Sequence, residues 1–416
     1  MSSIDQLAVT SDEAQTVADF RWRGGKLEQG IGLALSGGGY RAMLFHAGAL
    51  LRLNELGLLS HVDRISSVSG GSIAAGHLAL VWPQLSQDSS GRFERFFDAV
   101  VRPLYEFSRR SIDLMVLLRS LRPGTSAAQQ LAGRYDAALF RGATLAALPD
   151  RPTFVFCATN LQTGALWRFT KAYCGDYVLG YVPPERRTFR LAEAVAASSA
   201  FPPVLSPMEL RIDPADFRSW GEGPIKPYVS TNLAALRERV QLTDGGIYDN
   251  HGLEPIAKRY TTLLVSDGGA PFVRQPRVAS DWVRQLRRIL DLTDNQVRAQ
   301  RRRDLIQRFQ LGARALEEDR FTKEPPLPYE RLGAYWGIDT TPPALSGSDT
   351  LAFDPSMPDR MAMIPTRLAD QGVETSMRLV NWGYLVADHC IRRYWTAGRA
   401  LVPTPPSWPY REVPLG

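Results

Sequence analysis

Cysteine and histidine are scarce in this chain, which has three of the first (Cys157, Cys174, Cys390) and five of the second (His46, His61, His77, His251, His389) among 416 residues. Three thiols cannot make a disulfide framework, and no pair stands at metal-ligand spacing. The histidines are scattered and form no H-E-x-x-H pattern, so neither a metal nor another cofactor is expected. Long apolar runs are missing as well: nothing approaches the roughly 18 residues that a membrane span needs. The start, Met1-Ser2-Ser3-Ile4-Asp5, lacks the basic and apolar regions of a secretion signal. A cytosolic protein is therefore expected, unless it is exported by a route that needs no such signal. No internal repeat or low-complexity tract interrupts the chain. The 44% apolar and 22% charged residues exclude a disordered or collagen-like chain. The net charge of +6 permits anionic partners but does not choose between lipid headgroups and nucleic acid.

What is present concentrates between Gly32 and Gly71. The short apolar run Ile31-Gly32-Leu33-Ala34-Leu35 reads as a buried strand and leads directly into Ser36-Gly37-Gly38-Gly39-Tyr40-Arg41-Ala42. Met43, Leu44, Ala47, Leu50, Leu51 and Leu53 then recur at helical steps until Gly57, and Ile65-Ser66-Ser67-Val68 reads as a second strand. Strand, helix and strand in about 40 residues make a βαβ unit with parallel strands. The second strand ends at Ser69-Gly70-Gly71-Ser72, and helical spacing resumes with Ile73, Ala74, Leu78 and Val81. A serine on so sharp a strand-to-helix turn, with small residues two positions away on each side, is a nucleophile elbow. The helix N-terminus beneath it favours the negative charge that develops during acyl transfer. Ser67 stands where the first glycine of G-x-S-x-G is usual, and it is nearly as small.

The glycine run has two readings. Gly37, Gly39 and Ala42 fit the G-x-G-x-x-A fingerprint of dinucleotide binding, which also needs an acid at the end of the following strand. Asp63 instead precedes that strand, and the strand's end carries Ser69. The favoured reading makes the Gly38 and Gly39 amides an oxyanion hole, glycine letting the backbone approach the reacting carbonyl closely.

Together, Gly37-Gly38-Gly39-Tyr40-Arg41-Ala42, the elbow at Ser69 and a later Asp244-Gly245-Gly246 resemble the patatin-like phospholipases, with G-G-G-x-R-G, G-x-S-x-G and D-G-[GA]. Ala42 replaces the last glycine of the first motif. Cys157 to Gly164 and Ala197 to Pro203 are two further matching blocks, so the resemblance covers roughly residues 31 to 255 in order. It implies a three-layer α/β/α fold with a mostly parallel central sheet and helical insertions. It also implies hydrolysis of phospholipid or lysophospholipid esters by a Ser69–Asp244 dyad, with Gly37, Gly38, Gly39 and Arg41 forming the oxyanion loop. Arg41 either braces that loop or meets a lipid phosphate. Leu263 to Gly269 offers a rival, a strand followed by Asp267-Gly268-Gly269; the family order favours Asp244, which is trailed by Asn250 and Pro255. Since a carboxylate is a weak base at neutral pH, its surroundings must position it and tune its pKa. No histidine is placed to complete a triad.

Around this core, residues 1–30 form an N-terminal segment with a short helix at Ser11 to Phe20, and residues 31–416 a single α/β domain. Residues 83–150 read as a helical insertion that either packs on the sheet or covers the serine with an apolar lid containing Leu114 and Leu118. The core resumes with strands at Thr153 to Thr159 and Leu166 to Phe169, a helix at Leu191 to Ala200, and strands at Tyr228 to Ser230 and Val240 to Thr243. The basic helical region of about 273–328 either lies on an anionic membrane or presents a solvated face paired with acids such as Glu317-Glu318-Asp319. No nucleic-acid-binding motif accompanies its arginines. Closing helices are expected at Pro365 to Gln371 and Val373 to Tyr394.

Overall fold

The buried run before the glycine motif becomes β1 (Glu28–Leu35), and the glycines open α1 (Gly39–Glu55). After β2 (Arg64–Ser67), α2 (Gly70–Val81) completes the βαβ unit, and β1 pairs with β2 in parallel. The computed structural model describes residues 27–112, 126–220, 232–320, 327–345, 349–395 and 401–416. The expected helix at Ser11 to Phe20, the lid residues Leu114 and Leu118, and the strand at Tyr228 to Ser230 lie outside them.

Among the described residues the sheet has ten strands. Its parallel part follows the order β10 (Leu332–Gly337), β9 (Tyr260–Asp267), β1, β2, β3 (Thr153–Asn160). Beyond it, β4 (Leu166–Phe169), β5 (Cys174–Asp176) and β6 (Gly180–Val182) continue antiparallel. Strand β8 (Arg239–Asp244) pairs antiparallel with β3 and with β7 (Met208–Arg211). Helices flank the sheet, giving the expected α/β architecture with a parallel centre.

Helix α1 is buried along nearly its whole length because α6 (Val373–Tyr394) covers it. The two backbones touch through glycines. A Cβ on Gly48 would stand 1.9 Å from the Val380 oxygen, and one on Gly383 would stand 1.9 Å from that of Phe45. Arg52, buried in this seam, donates to Asp388 at 2.8 Å and to the Thr404 carbonyl at 2.8 Å. Phe93, Phe96, Val100 and Val101 of the 83–150 region belong to the main apolar core, so this part of the insertion packs as body.

The stretch from Pro365 to Gln371 is not helical. Its carbonyls are used elsewhere: Arg367 O accepts from the Tyr40 amide at 3.0 Å and Leu368 O from that of Ile112 at 2.7 Å. Residues 282–317 form one continuous helix, α5 (Trp282–Glu317), whose N-cap Asp281 accepts from the Arg284 amide. Among the described residues no helix is long and apolar enough to cross a membrane.

Candidate active site

The site is set by three strands. Strand β2 pairs with the first half of β3, ending with Ser67 opposite Phe156. Strand β8 pairs antiparallel with the second half of β3, ending with Asp244 opposite Ala158. Strand β4 occupies the other edge of β3 from Phe156 to Thr159, so β2 and β8 share one edge and run toward each other. Ser69 follows two residues beyond Ser67, and its side chain is hydrogen-bonded to Asp244. The hydroxyl and the carboxylate therefore arrive at one point from opposite directions.

Ser69 occupies the turn with φ 51° and ψ −117°, a strained backbone for a residue with a side chain. Its neighbours must be glycine: a Cβ on Gly70 would lie 2.0 Å from the Gly39 oxygen, and one on Gly71 2.3 Å from that of Leu35. Ser67 fits its tight place by donating to the Val155 carbonyl at 3.3 Å. The Ser69 amide donates to Ser198 Oγ at 2.9 Å, and Ser198 Oγ is also 2.9 Å from Ser72 Oγ. Ser198 ends α3 (Leu191–Ser198), and the residues after it hold the acid: the Asp244 amide donates to Ala200 O at 3.0 Å. One helix end thus positions both members of the pair.

Asp244 is buried, and its Oδ1 accepts from the Gly246 amide at 2.7 Å. Burial pushes its pKa up to about 7; the Gly246 amide and the Ser69 side chain oppose that rise, and the charge of Asp294 on α5 adds to it. A carboxyl with such a pKa accepts a proton at neutral pH far more readily than an ordinary aspartate.

The glycine loop divides its tasks. Gly37 donates its amide to Asn250 O at 3.0 Å, so that N–H is taken and the residue serves close approach; a Cβ there would be 2.4 Å from Asn250 Oδ1. Among the described residues, the Gly38, Gly39 and Gly70 amides donate to no protein acceptor. Gly38 (φ 144°) and Gly39 (φ 61°) adopt backbone conformations that favour glycine. Arg41 is fully buried, with Nε donating to Gly268 O at 3.0 Å and Nη1 to Ile364 O at 2.6 Å. Both acceptors are backbone carbonyls of later segments. Burial, then Arg298, lowers its pKa to about 10, which leaves it charged at neutral pH.

The rival acid, Asp267, is committed to other groups. It meets His251 Nε2 at 3.0 Å, Tyr335 Oη at 2.9 Å and Arg298 at 3.3 Å. Against the cost of burial, Arg298 and His251 hold its pKa well below the ordinary value, a poor state for a base. His46 bonds Ser266 and Ser36, His77 the Ala99 carbonyl and His389 the Pro343 carbonyl. His61 precedes β2, at the end opposite Ser69. Among the described residues no group of His, Cys, Asp and Glu is arranged to hold a metal ion.

Ser198 and Asp294 were not singled out from sequence, and Asn250 was named only in the pattern that trails Asp244. Ser198 lies inside the Ala197 to Pro203 block, where small residues before a proline pair were the available signal. Asn250 ties the glycine loop to α4 (Gly246–Asp249), and only the pattern after Asp244-Gly245-Gly246 hinted at it. Asp294, on another element, left no local trace. The arginines of α5 also find partners other than Glu317 to Asp319: Arg301 meets Asp249 at 3.4 Å and Arg302 meets Asp339 at 3.5 Å.

Comparison with known proteins gives the same direction. The family model for patatin-like phospholipase matches residues 33–257. Among curated proteins, "Putative meiotic phospholipase SPO1" of Saccharomyces cerevisiae is 50% identical over 42 residues, 10% of this chain and 7% of that one. Among solved structures, human GIVD cytosolic phospholipase A2 aligns with 91% of this chain and 62% of its own, at 15% identity and a TM-score of 0.50. That likeness is one of fold. This chain spans less than two thirds of either relative's length.

Proposed function

This chain belongs to the patatin-like phospholipase family, and from that premise we propose that it is a serine lipid acyl hydrolase of the phospholipase A or lysophospholipase type. Asp244 takes the proton of the Ser69 hydroxyl as Ser69 Oγ attacks the acyl carbonyl. The Gly38 and Gly39 amides, joined by that of Gly70, receive the developing oxyanion. The proton passes from Asp244 to the departing glycerol oxygen as the ester C–O bond breaks. Water, deprotonated by the same carboxylate, attacks the acyl-serine; the C–O bond to Ser69 breaks, Asp244 returns the proton to Ser69 Oγ, and the fatty acid is released. No step requires a cofactor.

The observation that carries this reading is the head-on approach of β2 and β8 along one edge of β3, with an aspartate of pKa about 7 at the meeting point. The family supports glycerophospholipid or lysophospholipid as substrate, and the net positive charge supports peripheral contact with an anionic membrane. The test is incubation with defined phospholipids, read by mass spectrometry of products, beside labelling with a fluorophosphonate probe. The wild type should release fatty acid and take the label; Ser69→Ala should do neither, and Asp244→Asn should lose turnover. Acyl products carried on an acceptor other than water would make the enzyme an acyltransferase, and release from neutral lipid alone an esterase.

A further inference from the structure

We infer that the first third of α5, from Trp282 to Leu292, is the element that seats the catalytic edge on an anionic bilayer. Helix α5 is clamped to the body through its later turns. Near its C-terminal end, a Cβ on Gly312 would lie 2.0 Å from the Arg331 oxygen, at the start of β10, and Arg331 N donates to Arg308 O. Higher up, Arg298 binds Asp267 and the Ala270 carbonyl, just past the end of parallel β9. The helix therefore runs antiparallel to β9 and β10. At 1.5 Å per residue, the stretch from Trp282 to Arg298 reaches roughly 24 Å beyond the clamp at the C-terminal edge of these strands. Ser69 follows β2 at that same edge, and Asp294, within this overhang, is close enough to raise the pKa of Asp244.

The overhang has the composition of an interfacial helix. Trp282, Val283, Leu286, Ile289 and Leu290 fall within an arc of about 120° and are all exposed, Trp282 by 76% and Leu286 by 52%. Arg287 stands about 40° outside the arc, and Arg284 and Arg288 lie on the opposite, polar face with Asp291, Arg284 paired to the N-cap Asp281. Arg288, on that polar face, lies 3.8 Å over the Phe272 ring. A basic polar face opposite an apolar stripe with a terminal tryptophan matches the charge and polarity profile of an anionic lipid surface. The basic polar face finds no counterpart on a second copy of this chain, whereas anionic headgroups supply one. More apolar side chains are exposed around the acid itself: Phe201 just after Ala200, and Ile247 just after Gly246.

The consequence for rate rests on the hydrolase reading; the binding does not, and the experiment separates them. Full-length wild type and the variant Trp282→Ser/Leu286→Ser/Ile289→Ser/Leu290→Ser are compared by cosedimentation with vesicles of phosphatidylcholine alone and with 30% phosphatidylserine (about the charge of a cytoplasmic leaflet). Fluorophosphonate labelling and thermal unfolding are read in parallel. The wild type should bind the anionic vesicles, and the variant should lose about tenfold or more of that affinity with its melting unchanged. Arg284→Gln/Arg287→Gln/Arg288→Gln should remove the preference for anionic over neutral vesicles. In both variants labelling in solution should match wild type, while turnover of vesicle substrate falls. Equal vesicle binding by wild type and the serine variant overturns the inference, as does a wild-type dimer that the serine variant converts to monomer without any vesicle binding. Absence of label in the wild type overturns the hydrolase reading while leaving a measured vesicle-binding difference in favour of the docking element.

Discussion

A base role would ask Asp244 to work at a pH its side chain alone would not allow. With its pKa raised by burial to about 7, a base role for this residue gives kcat/KM a rising acid limb, tenfold per pH unit below about 7, and a plateau above it. Asp294→Asn removes a like charge and should move that limb to lower pH without abolishing turnover, which a pH-rate profile on a soluble ester will read. The same shift has a stability consequence of opposite benefit. The unfolded carboxyl ionises near 3.8 and the folded one near 7, so between these values the unfolded state has lost a proton that the folded state keeps. Stability accordingly falls as pH rises through that window, and the penalty is complete above 7. Asp244→Asn should therefore be stabilising relative to wild type at pH 8 and close to neutral at pH 4, by urea unfolding. Asp267 behaves in reverse: its pKa is depressed, so its contribution is present above the unfolded value and is lost on acidification. Asp267→Asn leaves Arg298 without its buried partner and should cost on the order of 3 kcal/mol of folding stability. Protein that remains folded should keep its reactivity toward fluorophosphonate.

At the scale of elements, the site depends on how helix ends and strand ends meet. Ser198 at the end of α3 accepts the Ser69 amide, so Ser198→Ala leaves a buried N–H unpaired and frees the elbow. A fall of about tenfold in kcat with KM little changed is expected, and Ser198→Thr should restore part of it by returning an acceptor. The βαβ unit and its serine turn could be read from the sequence because everything that makes them is local: a short apolar run, glycines at the turn, helical spacing after it. Strand β10 could not, because Leu332-Gly333-Ala334-Tyr335-Trp336-Gly337 has two glycines and no β-branched residue. Gly333 is required by a long-range fact, the Leu263 oxygen 1.8 Å from where its Cβ would be. The direction of β8 was equally hidden. Its residues announce a strand and a turn, but antiparallel pairing with the far half of β3 is decided by chain found elsewhere.

Across the whole molecule, the arginines sort into two populations that composition alone cannot separate. Arg41, Arg52, Arg298 and Arg301 bind carbonyls and carboxylates inside the fold, whereas Arg284 and Arg287 face solvent on the overhang of α5. Raising ionic strength should therefore weaken vesicle binding steeply while hardly moving the melting temperature, since buried pairs are screened much less than exposed charges. A common salt dependence of both quantities would show that the two populations are not distinct.

The opposed approach of β2 and β8 has a consequence during synthesis. The segment bearing the hydroxyl leaves the ribosome long before the one bearing the carboxylate, and no part of the earlier segment can substitute for the later. On the proposed dyad, a nascent chain ending before Asp244 should be silent toward surrounding lipid, reactivity appearing only when the second half closes on β3.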